Sequence, residues 1–388
     1  MAIETAAAPS SGAPALSFPR DIFAALSPAP FLLAHLAPDS SPVSAPPTRP
    51  NGRAPGEPRT PAINTGSLSH CQGSAVARVG DTAVVAGVRA ELLRAADVPN
   101  PPRYEELLGG DNTNTSSGNG YGDGDEDPAS WDDAHELQRL GLLVPNVELA
   151  TGASPSVMPG QPPSAVAQAL TARLLGLLHA TRVVRGRDLR IVWEAPAVGE
   201  EGEEGGGREV KAFWTLYIDV LFISLDGNAL DAAWGAVVAA LRDTLLPRAW
   251  WDQDQGLVLC SERREEARKL RLRGEPVVAS FVVFEPGRRG GKGVRVLGLG
   301  GDGEQLTGGD DEQEKAWVLA DPDAFEEANC QEVVSVVLDK SSGKSVLHGI
   351  EKSGGAVVSK DVLRGVVRLA EERWQVWDKA FNEGASKS

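Results

Sequence analysis

Cysteine and histidine are scarce in this sequence. Its 388 residues include three cysteines, Cys71, Cys260 and Cys330, and five histidines. The cysteines lie far apart, are odd in number and form no Cys-x-x-Cys pair, so neither a disulfide framework nor a structural zinc site is expected. We therefore predict free thiols in a reducing compartment, no bound metal and no cofactor.

Basic residues and long apolar runs are also in short supply. Lys and Arg number 38 against 54 Asp and Glu, which gives a formal net charge of -16. This balance argues against a free-standing nucleic-acid binder, because phosphate contacts require cations concentrated on one face. No run is apolar enough for a membrane span, and residues 1–18 lack the basic start and apolar core of a secretory signal. The sequence therefore predicts an intracellular protein.

Glycine and proline, by contrast, are abundant, at 43 and 27 residues. Several segments rich in them cannot bury enough apolar surface to order themselves, and we interpret these as insertions in surface loops. The predicted organisation is a disordered N-terminus over 1–16, a helical segment and linker over 17–60, a first half over 61–255 with insertions near 109–130 and 196–209, a second half over 256–382 with an insertion near 287–315, and a tail over 383–388.

Between the insertions, the apolar patterns predict strands and helices. Residues 74–79 and 82–91 alternate around Gly80-Asp81, as in a tight hairpin. Residues 213–225 are nearly all apolar or β-branched, which predicts a central strand covered on both faces. Ser164 is expected to cap a helix that ends near Thr181 and buries Val166.

The second half of the sequence has the same kind of pattern. Asn228 is expected to cap a helix after the turn at Asp226-Gly227. Further elements are expected as strands near 277–284, 294–299, 316–320, 333–338 and 345–350, followed by a helix over 359–381. Strands followed by helices in both halves predict an α+β fold of two pseudo-repeated ββ/α halves, not a doubly wound nucleotide fold.

Several segments, in this order, resemble the RNase PH family. Arg49-Pro50-Asn51-Gly52-Arg53 is similar to the family's Arg-Pro-Asp-Gly-Arg, and Glu57-Pro58-Arg59 follows at the expected place. Residues 73–92 resemble the family's first hairpin. The segments at 144–149, 214–233 and 320–327 resemble the non-catalytic ring subunits of the eukaryotic RNA exosome, most closely the 43-type, with the 42-type and 45-type as close alternatives. Each motif alone is weak, but their colinear order covers residues 17–380.

The resemblance implies an RNase PH-like fold and a set of protein partners. These are the other RNase PH-like exosome ring subunits, with a 46-type subunit as pair partner, the S1/KH cap subunits and the associated exosome nucleases. RNA would pass through the assembled channel, and no membrane is involved. The resemblance also implies a location in the nucleus and nucleolus and in the cytoplasm.

The turn after the strand at 213–225 departs from the pattern of active relatives. They carry Asp-Gly-Gly-Ser/Thr-Arg, whose hydroxyl and guanidinium hold inorganic phosphate. Here Asn228, Ala229 and Leu230 occupy the last three of these positions, and Asp231 follows. A carboxylate beside the phosphate position would repel an anion. The Arg pair of active relatives is also replaced, by residues 160–163, so the sequence predicts a degenerate phosphate site and no catalytic residue.

Asp321 and Glu327 stand where active relatives carry a metal or acid/base pair. The interpretation we favour is structural: Asp321 and Pro322 end a strand, and Glu326 and Glu327 are solvated near a helix start. The arginines admit two interpretations as well. Arg49, Arg53 and Arg59 either line an RNA path or anchor the N-terminal segment through charged hydrogen bonds, which we favour. Further possible RNA or subunit contacts are Arg263 and Arg264, although interleaved glutamates favour a solvated face.

Three hypotheses for the function follow. The favoured one is a non-catalytic structural subunit of the exosome core ring, which supports 3′–5′ RNA processing and degradation by associated nucleases. The alternatives are an active phosphorolytic 3′–5′ exoribonuclease, which would need a phosphate-binding Arg from a partner, and an RNase PH-fold interaction scaffold outside the exosome. Phosphate-dependent RNA shortening and co-purification with ring subunits distinguish the three.

Overall fold

The fold combines two β-sheets with helices. A computed structural model describes residues 18–37, 46–99, 129–160, 162, 164–194, 207–285, 295–297, 315–354 and 360–385. The helices are α1 Arg20–Leu26, α2 Pro28–Leu36, α3 Ala129–Leu140, α4 Ala165–Thr181, α5 Ala229–Asp243, α6 Ala324–Asn329 and α7 Lys360–Ala385. The strands are β1 Pro61–Thr65, β2 Gly73–Val79, β3 Thr82–Arg94, β4 Leu143–Leu149, β5 Arg190–Glu194, β6 Arg208–Ser224, β7 Leu245–Leu246, β8 Ala249–Asp252, β9 Leu257–Cys260, β10 Arg268–Lys269, β11 Val277–Phe284, β12 Arg295–Leu297, β13 Lys315–Ala320, β14 Glu332–Asp339 and β15 Val346–Ser353.

The first sheet has the strand order β1-β2-β3-β6-β4, with β5 also paired to β6. The predicted hairpin is confirmed, since Val79 pairs with Thr82 across the turn at Gly80. All neighbours are antiparallel except β4, which runs parallel to β6. The prediction that β6 is covered on both faces holds only for its first part. Leu221 and Ile223 are exposed, because the end of the strand packs on one face alone.

The second sheet has the order β12-β13-β11-β14-β15. Every residue of its central strand β11 is buried. Helix α5 contacts β2 and β3 of the first sheet and β11 of the second, while α7 contacts β1, β11 and β14. Both helices therefore lie between the sheets. The buried apolar side chains of both sheets form one continuous core, and the predicted α+β architecture is confirmed.

Helices α4 and α7 agree with the predictions in part. Ser164 caps α4 as predicted, and its Oγ accepts a hydrogen bond from the Ala167 N–H at 3.1 Å. Val166 is 51% exposed, so its predicted burial is wrong; the buried stripe of α4 lies one position further along and begins at Ala167. Helix α7 runs to Ala385, so the tail predicted over 383–388 begins inside a helix.

The N-terminal helices pack on the second sheet. Pro28 is the first residue of α2, and Pro30 stays inside its first turn without interrupting the helix, because the first N–H groups have no intrahelical partner. Leu32 and Leu36 of α2 are buried in a second apolar cluster with Phe284 and Trp317. The predicted linker therefore follows a helix that is already anchored to β11 and β13.

Most of the predicted loops lie outside the described residues. This holds for the N-terminus over 1–16 and for most of the insertions near 109–130, 196–209 and 287–315. Their predicted ends are wrong where regular structure is described: Ser130 lies in α3 and Arg208 begins β6. Strand β12 confirms the strand predicted near 294–299, within the third insertion. Among the helices in the described ranges, none has the length and apolar character needed to span a bilayer.

Candidate functional site

The segments singled out by the sequence meet at one place. The turn after β6, the turn between β13 and α6, and the N-terminal segment 49–59 converge on the carboxylate of Asp321. Arg373, from the middle of α7, joins them. We call Asp321, Arg53, Arg59, Arg373 and Asn228 the Asp321 cluster.

Asp321 is held from several sides. Arg59 donates hydrogen bonds to its carboxylate from the backbone N at 2.7 Å, Nε at 3.0 Å and Nη2 at 2.9 Å. Asn228 Nδ2 donates another at 2.6 Å. One Nη atom each of Arg53 and Arg373 lies 3.7 Å from Oδ2. The side chain is 2% exposed, so this carboxylate is enclosed by donors and shielded from solvent.

The electrostatics of Asp321 follow from these contacts. Burial opposes the charged carboxylate, but the hydrogen bonds from Arg59 and the positive charges of Arg373 and Arg59 outweigh it and lower the pKa of Asp321 to about 2. The backbone of Asp321 has φ 50°, in the left-handed region that Asp tolerates better than most residues. Asp321 thus turns the chain at the end of β13 and remains ionised at neutral pH.

A second buried pair lies beside the cluster. Arg49 Nη1 donates to Glu326 Oε2 at 3.2 Å, and neither side chain is exposed. Nη2 of Arg49 donates to the carbonyls of Pro55 and Ala320. Burial lowers the pKa of Arg49 to about 10 and raises the pKa of Glu326. The prediction that Glu326 is solvated is therefore wrong: Glu326 completes the capping box of α6 and accepts a charged hydrogen bond from Arg49.

The turn after β6 is tied to the same place by its backbone. Gly227 has φ 67°, and a Cβ there would lie 2.4 Å from the carbonyl carbon of Asp323. Thr82 Oγ1 donates to the Gly227 carbonyl at 3.1 Å and accepts from the Asp226 N–H at 2.9 Å. Only glycine fits this close approach of the turns. The two turns that carry the predicted site residues therefore pack directly against each other.

Asn228 does not cap α5 with its side chain, contrary to the prediction. It precedes the helix with φ 48° and makes no capping hydrogen bond. Its Nδ2 donates instead to Asp321 and, at 2.9 Å, to Asp231 Oδ2. Its backbone N–H donates to Glu327 Oε1 at 2.7 Å. Asn228 therefore connects three carboxylates, and this need for donors outweighs its local capping preference.

The positions that would cradle phosphate are filled differently. Leu230 is 4% exposed and belongs to the main core, and Ala229 packs against that core. Asp231 is 2% exposed and points into the protein, where it accepts from Ser280 N at 3.1 Å and Ser280 Oγ at 2.7 Å. Burial raises the pKa of Asp231 to about 6. The expectation that Asp231 lies beside the phosphate position is therefore wrong. Its carboxylate is an internal hydrogen-bond acceptor for Ser280.

The total charge around the Asp321 cluster is unfavourable for anions. Four arginines, Arg49, Arg53, Arg59 and Arg373, lie among six carboxylates: Asp226, Asp231, Asp321, Asp323, Glu326 and Glu327. Every one of these arginines contacts a carboxylate within 4.0 Å. In the described part of the chain, no group of three or more His, Cys, Asp or Glu side chains is arranged to hold a metal ion.

Glu327 keeps a different environment from Asp321. Glu327 is exposed at the start of α6, and its Oε1 accepts a hydrogen bond from the Asn228 N–H. The two predicted carboxylates are therefore linked through Asn228, which contacts both.

Arg263 and Arg264 lie away from this place. They precede and begin a short 3-10 helix between β9 and β10, and both are exposed. Arg263 Nη1 lies 3.7 Å from Glu266 Oε1, and Arg248 also reaches Glu266, at 3.8 Å. Trp250 on the neighbouring hairpin is 42% exposed. The structure thus separates these arginines from Arg49, Arg53 and Arg59.

Sequence reasoning missed two members of the site. Arg373 is 3% exposed although it is charged, and it lies on the buried stripe of α7, four residues after Leu369. An arginine on an apolar stripe is a recognisable signal for a buried ionic partner. Ser280 is a hydroxyl residue in the otherwise apolar and buried strand β11. This exception is a signal that the hydroxyl has a buried hydrogen-bond partner, which the structure shows to be Asp231.

Comparisons with known proteins agree with this fold. The sequence pattern described as the 3′ exoribonuclease family, domain 1 (RNase PH), matches residues 121–247. The solved structure entitled "archaeoglobus fulgidus exosome with RNA bound to the active site" superposes with a TM-score of 0.53 and 20% identity, covering 95% of this chain and 99% of that one. Two sheets with helices between them define an α+β fold of the RNase PH type.

Relatives of known name extend the similarity to nearly the whole chain. Exosome complex component rrp43 of Schizosaccharomyces pombe is 27% identical over 364 residues, which cover 94% of this chain and 98% of that protein. Exosome complex component Rrp42 of Methanocella arvoryzae is 23% identical over 330 residues, covering 84% and 88%. The RNase PH family pattern thus matches residues 121–247, and the similarity to these two exosome components extends over most of the chain.

Proposed function

We propose that this chain is a structural ring subunit of the RNA exosome core, of the 43 type, which supports 3′–5′ RNA processing and degradation without catalysing it. The similarity to rrp43 of Schizosaccharomyces pombe over almost the full length of both chains supports the place in the ring. The geometry of the Asp321 cluster supports the absence of catalysis.

One observation carries the proposal: a core leucine occupies the candidate phosphate site, and the arginines nearby are bound to carboxylates of this chain. Leu230 stands in the core where a guanidinium would contact phosphate. The arginines that remain are bound to Asp321 and Glu326. A phosphate would have to displace these internal partners before it could gain a cation.

The magnitude of the electrostatic obstacle can be judged from distance. A unit negative charge placed about 4 Å from a carboxylate is repelled by about 4 kcal/mol at an effective dielectric constant of about 20. Asp321 is ionised, and Glu327 lies one hydrogen bond away from the same asparagine. Phosphate binding here is therefore opposed by charge as well as by packing.

The partners in this proposal are the other RNase PH-like ring subunits, with a 46-type pair partner, and the S1/KH cap subunits. Associated nucleases would perform the chemistry on RNA threaded through the assembled channel. A nuclear, nucleolar and cytoplasmic location is part of the proposal and rests on the family resemblance alone.

The test is assembly followed by an activity measurement. The full chain is co-expressed with the ring and cap subunits, and the native mass of the purified complex is measured. RNA shortening and release of nucleoside diphosphates are then followed with and without inorganic phosphate. We expect a stoichiometric ring without phosphate-dependent release of nucleoside diphosphates.

A matched variant makes the assay decisive. Glu327→Gln removes the exposed carboxylate while keeping an acceptor for the Asn228 N–H. Phosphate-dependent release that disappears in this variant would show that the chain is an active exoribonuclease. A chain that purifies only as a homo-oligomer, without the ring subunits, would instead identify a scaffold outside the exosome.

A further inference from the structure

Two basic segments that are distant in the sequence lie side by side in the fold. Residues 182–190 and 267–273 are joined by an antiparallel bridge between Val184 and Leu272. The Arg273 N–H donates to the Val183 carbonyl at 2.9 Å, and Arg268 Nη2 donates to the Asp188 carbonyl. We call these two stretches the paired basic segments.

Their charge contrasts with that of the whole chain. The paired basic segments contain eight cationic side chains and one acidic side chain, Asp188, in a protein of net charge -16. Not all of these cations are available, since Arg190 is bound to Glu136 at 2.5 Å and both are buried. Four others form no ion pair in the described part of the chain: Arg185, Arg187, Lys269 and Arg271.

The bridge brings like charges together. Arg185 follows Val184 and Arg271 precedes Leu272, so antiparallel pairing sets the two arginines opposite each other, beside the bridge. Like charges directly opposite on neighbouring strands are destabilising. Arg271 is exposed and Arg185 is half-buried, so solvent and a partner can reach both side chains. The arrangement is therefore suited to a negatively charged partner.

A groove continues the basic surface on one side. A cavity of about 370 Å³ is lined by Lys269, Arg273 and Arg242 and by the hydroxyl side chains Ser341 and Ser342. The carboxylate among its lining residues, Glu275, is bound to Arg242 at 3.0 Å. Glu266, at the end of the 3-10 helix before β10, contacts Arg248 and Arg263.

We propose that the paired basic segments bind the phosphodiester backbone of single-stranded RNA. Seven of their eight cations are arginines, whose planar guanidinium donates two parallel hydrogen bonds to a phosphate. The choice of RNA over an acidic protein rests on the proposed function, because RNA is the polyanion that the ring handles. This surface would give a non-catalytic subunit a direct contact with the substrate, outside the closed Asp321 cluster.

The test is RNA binding by the purified full chain as a function of salt. Fluorescence anisotropy of a labelled single-stranded RNA is measured between 50 and 200 mM salt. The test variant carries Arg185→Gln, Arg187→Gln, Lys269→Gln and Arg271→Gln. Arg268 is left intact because it holds the Asp188 carbonyl. A control variant neutralises four exposed cations elsewhere, through Arg78→Gln, Arg89→Gln, Lys344→Gln and Lys379→Gln.

The expected result follows from counterion release. Each phosphate contact on a single strand contributes about -0.7 to the slope of log affinity against log salt concentration, so four contacts contribute about -2.8. Over a fourfold rise in salt, the wild type should lose about 50-fold more affinity than the test variant. The control variant, with the same net charge as the test variant, should keep the wild-type slope.

Four results would overturn the proposal. An unchanged slope in the test variant, or equal losses in both variants, would mean that these residues make no specific contact. Polyglutamate that competes as well as RNA, through the same four residues, would identify an acidic protein as the partner. Failure of the test variant to join the ring would make this surface a subunit interface, and that result would leave the proposed function standing.

Discussion

Replacing Asp321 by asparagine provides the sharpest test of the structural role assigned to this carboxylate. The substitution keeps the size of the side chain but removes a negative charge that faces Arg59, Arg53 and Arg373. It also places an NH2 group where Oδ2 accepts from both the Arg59 backbone N and Nε, or where Oδ1 accepts from Asn228. In either orientation, the new amide NH2 group therefore faces an N–H donor, of Arg59 or of Asn228, and a hydrogen bond is lost.

The magnitude can be worked from the same contacts. Lowering the pKa of Asp321 from its ordinary 3.8 to about 2 corresponds to about 2 kcal/mol of folding free energy. Since this pKa is depressed, that stability is present above about pH 4 and is lost as the pH falls towards 2. Asparagine loses more, because Arg373 loses its ion pair while Arg59 and Arg53 keep only their contacts with Asp226 and Glu326, and we expect a cost of about 3–5 kcal/mol.

The assay is urea denaturation of the full chain at pH 7.5, followed by tryptophan fluorescence, with Glu327→Gln as the control. The control should lie within about 1 kcal/mol of the wild type, since its side chain is exposed and keeps its acceptor. A loss below about 1 kcal/mol for Asp321→Asn would refute the reasoning, because it would show that the arginines do not depend on this carboxylate.

Three further outcomes are expected. Burial raises the pKa of Asp231 to about 6, so stability should fall by about 3 kcal/mol as the pH rises from 4 through 6. Thermal unfolding of Asp231→Asn should show no such fall in stability between pH 4 and 6. A fall equal to that of the wild type would show that Asp231 is not the group that titrates. Gly227→Ala should cost at least about 3 kcal/mol, because its Cβ would lie 2.4 Å from Asp323 backbone at a left-handed φ. A melting temperature within a degree of wild type would be incompatible with that contact. The double variant Ala229→Ser and Leu230→Arg, which restores the hydroxyl and the guanidinium of the phosphate motif but keeps Asn228, should lower stability without restoring phosphorolysis, since an arginine replaces a core leucine. Release of nucleoside diphosphates by this variant would show that these two side chains suffice.

Local sequence patterns predicted the elements well where periodicity and turns act over a few residues. The hairpin at Gly80, the cap at Ser164 and the buried strand β11 depend on neighbouring residues, so the chain itself specifies them. The prediction was less successful for β6 and α4, where the face that is covered depends on which element packs there. Leu221 and Val166 are apolar but exposed for this reason.

The sequence by itself determined the fold class and the loss of the phosphate motif at Ala229 and Leu230. The tertiary structure alone decided what the remaining charged residues do. Asp321 and Arg373 are 52 residues apart, and Arg59 precedes both by more than 250, yet they share one buried cluster. A buried charge requires a partner, and which partner it finds depends on how β13, α7 and the N-terminal segment pack together. The same applies to the paired basic segments, which become one surface only through the bridge between Val184 and Leu272.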